Sequence, residues 1–401
     1  MTGGGVSAGI GPAVGADAAD DLAIAALALA RRFNAGATLW CLAPAWPEQA
    51  RHVAVEFVHP VIVGSRALPA VHVGGPALVD VLGGLVRPGD VLCAVSPAAD
   101  ATVTAAFRRA PAWGAVTIWI GAGPRPGSDV ADHLLWSDPS TTATLAPHDG
   151  SLSLRYHMLW ELTQVCFDHP GLLVDGPLMT NANDETTGFL YPFIESEERD
   201  PGPLLVDLAA SARAKAVLSK QLAAATIEDT AGPVDAAARA MVERFEAGGV
   251  LYTFGNGGSS SDAASVAALF SRPPSGRPLP ARCLTEDPAI LTALGNDVGF
   301  DLIFARQLIA HARTGDMCIA LSTSGGSRNL LVAADEARRR GVLVVAMAGY
   351  DGGMLARSPS VDHSLIVHSD SVHRIQESQA VLAMELWRSI QRILPSKTVN
   401  D

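Results

Sequence analysis

The chain repeats itself, and a chain built from two copies of one pattern is expected to fold as two similar units. Gly36–Pro44 (GATLWCLAP) and Arg66–Gly74 (RALPAVHVG) in the first half match Gly248–Gly258 (GGVLYTFGNGG) and Arg277–Thr285 (RPLPARCLT) in the second. Pro88–Ser96 (PGDVLCAVS) matches Thr314–Ser322 (TGDMCIALS), and Trp113–Gly123 (WGAVTIWIGAG) matches Arg340–Tyr350 (RGVLVVAMAGY). Val130–Asp138 (VADHLLWSD) matches Ser360–Asp370 (SVDHSLIVHSD), after which each repeat closes on an apolar helix containing HMLW (His157–Trp160) or MELW (Met384–Trp387). One such match could be chance; five in the same order are not.

Within each repeat, short β-branched runs alternate with Ala-rich segments, the pattern of a parallel sheet covered by helices on both faces. VLVVAMAG reads as a buried strand and LLVAADEARRR (Leu330–Arg340) as a helix whose arginines form a solvated, dipole-complementing end. The expected domains are residues 18–170 and 206–396, joined by a linker over 171–205 that is rich in turn formers and acids. After the linker two helices are expected, with a break at Thr230–Pro233.

A length of 401 residues fits two cores better than one. The formal net charge of -12 argues against a nucleic-acid binder, which would want a basic face. It leaves room for a small phosphorylated ligand held by backbone N–H groups and hydroxyls. Cys41, Cys93, Cys166, Cys283 and Cys318 show no CxxC spacing and read as buried thiols of a reducing compartment. Residues 1–21 have no basic n-region and read as a frayed tail, and no apolar run approaches the roughly 20 residues of a membrane span. A cytoplasmic protein without membrane partners is expected.

Two loops carry the chemistry. Phe254–Ala263 (FGNGGSSSDA) and Ala320–Asn329 (ALSTSGGSRN) each leave an apolar strand and enter a helix. Glycines let the backbone approach an anion, and a helix N-terminus offers free N–H groups. Two such turns at the carboxyl ends of one sheet would face a common crevice. Neither is followed by GK[ST], so no nucleotide cofactor is expected.

Together GNGGSSSDA, Leu291–Phe300 (LTALGNDVGF), LSTSGGSRN, Ala348–Ala356 (AGYDGGMLA) and Arg374–Glu377 (RIQE) resemble the sugar isomerase (SIS) domain family, in its phosphoheptose isomerase branch. The resemblance covers about Ala209 to Leu394. It implies two tandem SIS domains, each a flavodoxin-like α/β sheet flanked by helices, packed as a pseudo-dimer. It implies phosphate ligands at Asn256, Ser259, Ser322, Thr323, Ser324 and Ser327, with Asn296 and Asp297 near the sugar. The family's metal-binding His and Glu, spaced AxHxxxE on the helix after GNGGS, are Ser265 and Leu269 here; the later His is Met384, and the glutamine ligand survives as Gln376. By itself the second half resembles a non-catalytic member.

The missing ligands stand in the first half. It has lost both phosphate loops, reading LAPAWPEQ and SPAADAT instead, yet Ala50–Phe57 (ARHVAVEF) places His52 and Glu56 at the family spacing, and His157 stands where the second repeat has Met384. Residues four apart share a helix face and can grip one ion. The family's Gln and His are eight apart, about 12 Å of rise if helical, too far for one ion. They would therefore come from different subunits, which this chain fuses. One live composite site is expected: His52, Glu56 and His157 with Gln376 as metal ligands, Zn²⁺ as the ion, and the second-half loops on the phosphate. Its counterpart, Ser265, Leu269 and Met384 opposite His148–Asp149, should be dead.

The resemblance implies an aldose–ketose isomerase of a heptose or hexose phosphate, Glu56 serving as base and His157 as acid, assembled as a dimer of tandem chains. The alternative is a phosphosugar-binding regulatory or scaffolding protein without turnover. A glucosamine-6-phosphate synthase type, which also pairs two SIS domains, comes last because no glutaminase segment is seen.

Overall fold

The computed structural model describes residues 16–62, 64–137, 148–174 and 200–395. Residues 1–15 of the expected tail, Asp138 and residues 175–199 of the expected linker lie outside that set. The described residues form two compact units, one comprising 16–62, 64–137, 155–174 and 200–217, the other 148–154 and 218–395.

The first unit opens with α1 (Ala16–Asn34), so the last residues of the expected tail are helical. Then follow β1 (Leu39–Leu42), α2 (Pro47–Val58), β2 (Ala70–Val73), α3 (Leu78–Leu85), β3 (Val91–Val95), α4 (Ala101–Trp113), β4 (Val116–Ala122) and β5 (His133–Ser137). All pairings are parallel and the order is β2-β1-β3-β4-β5. The next helix, α5 (Ser151–Cys166), has its first turn in the second unit and its remainder in the first. Trp40, Phe107, Trp119 and Trp136 fill one side of this sheet with Leu and Val from β3 and α4.

α6 (Gly202–Glu246) precedes β6 (Leu251–Gly255), α7 (Gly258–Ser271), β7 (Ala281–Cys283), α8 (Pro288–Asp297), α9 (Ile303–His311), β8 (Met317–Ser322), α10 (Arg328–Arg339), β9 (Leu343–Gly349), α11 (Gly353–Ala356), β10 (His363–Val367) and α12 (Val372–Ile393). This sheet is again parallel, ordered β7-β6-β8-β9-β10, the same winding as the first. Its strands are buried end to end in the centre, as a sheet covered on both faces requires.

The repetition extends to single hydrogen bonds. Asp90 accepts from Thr38 N at 2.9 Å and Arg87 N at 2.9 Å; Asp316 accepts from Val250 N at 2.8 Å and Arg313 N at 2.7 Å. Asp132 accepts from Thr117 N and Asp362 from Val344 N, each at 2.8 Å. The aspartates of the two GD pairs and the two xDH motifs thus tie the same strand ends in both units. All five cysteines are buried thiols, and burial pushes Cys93 up to about 12.

One expectation fails. Thr230–Pro233 does not break the chain into two helices; α6 runs continuously from Gly202 to Glu246 with Pro233 inside it. Pro233 withholds the N–H that would bond Asp229 O, but it lies on the exposed side of the helix. Val234, Ala237, Ala238 and Met241, one turn on, are buried in the core of the second sheet, and Thr230 Oγ1 holds Thr226 O at 2.5 Å. Tertiary burial outweighs the local penalty of about 3 kcal/mol. Pro233→Ala should therefore raise stability, by up to about 3 kcal/mol, read as a higher Tm in calorimetry; an unchanged or lower Tm would mean the proline geometry is itself required.

Candidate metal centre and phosphate loops

α2 and α5 hold the first cluster, within the first unit. His52 and Glu56 sit four apart on the buried face of α2, and His157 lies on α5. None is more than 1% exposed. His52 Nε2 is 3.3 Å from Glu56 Oε1 and 3.4 Å from His157 Nε2, and one ligand atom of each residue lies within 4.8 Å of the others. Tetrahedral ligands about 2.0–2.1 Å from an ion stand roughly 3.3–3.4 Å apart. The donor set, two imidazoles and a carboxylate, is the kind that holds zinc. These residues fit a metal ion.

Tyr156 and Gln49 also lie beside His52, and the sequence reading missed both. Tyr156 Oη lies 3.0 Å from His52 Nδ1 and 3.3 Å from Gln49 Oε1. The only signal available was adjacency to His157, which says nothing of which neighbour a tyrosine will meet.

Two of the three corresponding positions of the second unit, Leu269 and Met384, lie in the apolar core. Arg272 N bonds Ala268 O at the end of α7 as His59 N bonds Val55 O at the end of α2, which sets Leu269 opposite Glu56 and Ser265 opposite His52 in the repeat. Leu269 is 0% exposed and packs in one apolar cluster with Met384. A leucine and a methionine offer no ligand for a hard or borderline cation. α12 is helical throughout, so Gln376 and Met384 are separated by about 12 Å of rise. Gln376 is buried, and its Nε2 donates to Asp262 Oδ2 at 3.2 Å.

Within the second unit, His148 is buried with the first turn of α5. Gly150 beside it adopts φ +77 and presses so closely on α12 that a Cβ would meet Glu377 O at 2.6 Å. Burial, with help from the Arg272 charge, pushes His148 down to about 4, and its Nδ1 has no hydrogen-bond partner among the described residues.

The phosphate loops lie at the carboxyl ends of β6 and β8 in the second unit, and they interlock. Asn256 and Asn329 exchange amide hydrogen bonds of 2.9 and 2.8 Å, tying the first loop to the start of α10. Ser322 Oγ accepts from Gly325 N at 2.9 Å and keeps its own proton to donate. Thr323 O accepts from Gly349 N and Gly325 O from Leu355 N, which fastens the loop to the segment after β9. Two glycines are obligatory here. Gly257 holds φ 56, ψ -125 before α7, and a side chain on Gly325 (φ 61) would collide with the Gly352 carbonyl.

Ser259 and Ser322 are buried, Asn256, Thr323 and Ser327 half-buried, and Ser324 exposed. Neither α7 nor α10 carries a side-chain cap, so their first N–H groups can meet an anion. The first unit has closed its equivalents. Asp100 caps α4, accepting from Thr102 N and Val103 N, and α2 begins with Pro47, which lacks an N–H, and acidic Glu48. Asn296 and Asp297 stand apart at the exposed end of α8, bonded to each other at 2.7 Å. Asn329, quoted in its motif but not singled out, is the residue of these loops that sequence reasoning passed over.

Two outcomes follow. Asn329→Ala should loosen both loops and weaken inorganic phosphate or phosphosugar binding about tenfold, one lost buried hydrogen-bonding partner, measured by calorimetric titration; unchanged affinity would show that the amide pair does not shape the loops. His148 is neutral in the folded chain and takes a proton more readily unfolded, so it costs nothing above pH 6.5 and destabilises as pH falls from 6.5 to 4. At about 1.4 kcal/mol per pH unit the loss is on the order of 3 kcal/mol. His148→Phe should lose less stability than the parent over that range in urea unfolding; equal losses would contradict the assignment.

A family model described as SIS domain matches residues 217–349. The chain is 42% identical over 172 residues to the phosphoheptose isomerase of Solidesulfovibrio magneticus, an alignment covering 41% of this chain and 81% of that protein. It is 42% identical over 173 residues to the phosphoheptose isomerase of a Roseiflexus species, covering 42% of this chain and 86% of that one. Among solved structures, the C-terminal domain of glucosamine-fructose-6-phosphate aminotransferase from Francisella tularensis aligns over 95% of this chain and 94% of its own with TM-score 0.57, at 9% identity, a likeness of fold alone. No described helix is long and apolar enough to cross a membrane. The motifs, the doubled parallel sheet and these relatives agree: the chain belongs to the SIS-domain family of phosphosugar isomerases.

Proposed function

We propose that the chain is a metal-dependent aldose–ketose isomerase, with sedoheptulose 7-phosphate to D-glycero-D-manno-heptose 7-phosphate as the first reaction to test. The observation that carries this reading is the buried His52–Glu56–His157 set, with ligand atoms at metal-binding separations. Its support is that the chain is 42% identical over 172 residues to a phosphoheptose isomerase. The phosphate loops and Gln376 are assigned to the same reaction on the sequence pattern, as is pairing of two such chains.

Isomerisation moves a proton between C1 and C2 and needs an acid at the carbonyl oxygen. Glu56 takes the carbon-bound proton and returns it to the neighbouring carbon. A carboxylate has two oxygens, so one can face a cation while the other handles the proton. His157 exchanges the proton of the carbonyl oxygen. Zn²⁺ held by His52, Glu56 and His157 would polarise the substrate oxygens as a Lewis acid. Asn256, Ser259, Ser322, Thr323, Ser324 and Ser327, with the N-termini of α7 and α10, hold the phosphate, and Asn296 and Asp297 serve the sugar end. Burial of the three residues keeps water from competing and strengthens every charge interaction among them.

A second reading, phosphosugar binding without turnover, is favoured by the apolar filling around Leu269 and Met384. Metal analysis of the purified chain with an isomerase assay separates the two. The isomerase reading predicts about one Zn²⁺ per chain and a Glu56→Gln variant at least about 100-fold slower with sugar-phosphate affinity little changed. Thermal stabilisation by the sugar phosphate with neither metal nor turnover would establish the binding reading instead.

A further inference from the structure

The geometry around His52 assigns a role to two residues outside the ligand set: we propose that Tyr156, held by Gln49, is a positioning residue that fixes the tautomer of His52. The inference rests on the metal-binding reading for its consequence, though not for its geometry.

Tyr156 Oη has one proton and lies 3.3 Å from Gln49 Oε1 and 3.0 Å from His52 Nδ1. An amide oxygen can only accept, so the hydroxyl proton goes to Gln49 and the tyrosine oxygen accepts from His52 Nδ1–H. His52 then carries its proton on Nδ1 and presents the lone pair of Nε2. That lone pair is directed at Glu56 Oε1 and His157 Nε2, 3.3 and 3.4 Å away. Three buried electron-rich atoms so arranged are stabilised by a cation or a shared proton among them. Nε2 is the atom a metal would take, and the relay reserves it. A ligating histidine is held in this way when its second nitrogen donates to a fixed acceptor.

The arrangement is stiff. The rings of His52, Tyr156 and His157 lie with centroids 4.9–5.2 Å apart, each edge-on or tilted to the others. Tyr156 and His157 are consecutive on α5, while Gln49 and His52 lie three apart on one buried face of α2. The relay therefore ties the two helices that supply the ligands. Gln49 is 4% exposed and Tyr156 1%, so neither has water as an alternative partner of consequence.

The test reads the tautomer first. In full-length protein labelled with ¹⁵N-histidine, without metal at pH 7.5, His52 (identified by its loss in His52→Gln) should show a protonated Nδ1 and an unprotonated Nε2. Tyr156→Phe should shift that pattern toward Nε2–H or a mixture, and lower Zn²⁺ affinity roughly 10- to 100-fold in chelator competition. Gln49→Met, which removes the acceptor but keeps the volume, should lower affinity in the same direction, with Tm kept close to the parent as the control for folding. An Nε2–H tautomer in the parent, or parental Zn²⁺ affinity in Tyr156→Phe, overturns the proposal while leaving the metal centre standing. A parent chain that shows the Nδ1–H tautomer yet binds no Zn²⁺ removes the metal reading and keeps the relay as a structural bond only, which overturns its stated role.

Discussion

Two imidazoles and a carboxylate lie buried within 4.8 Å of one another, an arrangement that a cation or a shared proton stabilises. Burying three such polar groups between α2 and α5 is costly unless each is partnered. The equivalent place in the second unit has Leu269 and Met384 in the core. The contrast between a retained polar cluster and its apolar counterpart gives the first unit its chemical meaning.

The phosphate side shows the reverse asymmetry. In the second unit the starts of α7 and α10 are uncapped, and a lattice of backbone and amide bonds from three successive loops holds them open. In the first unit the carboxylate of Asp100 has taken the N–H groups of α4, and Pro47 with Glu48 makes the start of α2 a poor place for an anion. The polar cluster is kept in the first unit and the uncapped helix starts in the second.

Much of this was legible in the sequence because it is carried by local patterns. The GD and xDH motifs recur in both halves, and Asp90, Asp316, Asp132 and Asp362 make matching backbone hydrogen bonds. The i, i+4 spacing places His52 and Glu56 on one helix face. What was not legible depends on tertiary neighbours. Pro233 announced a break, but the burial of Ala237, Ala238 and Met241 carries α6 through it. Asp100 looks like an ordinary loop acid until it caps α4. Tyr156 and Gln49 are 107 residues apart, and nothing in either segment signals that they meet.

The most direct measurement is anomalous diffraction at the zinc edge from crystals of the full chain grown with Zn²⁺. The account predicts a peak bounded by His52 Nε2, Glu56 and His157 Nε2, and none beside Leu269 and Met384. Crystals with no peak at the three residues, or with zinc bound only elsewhere, would contradict it.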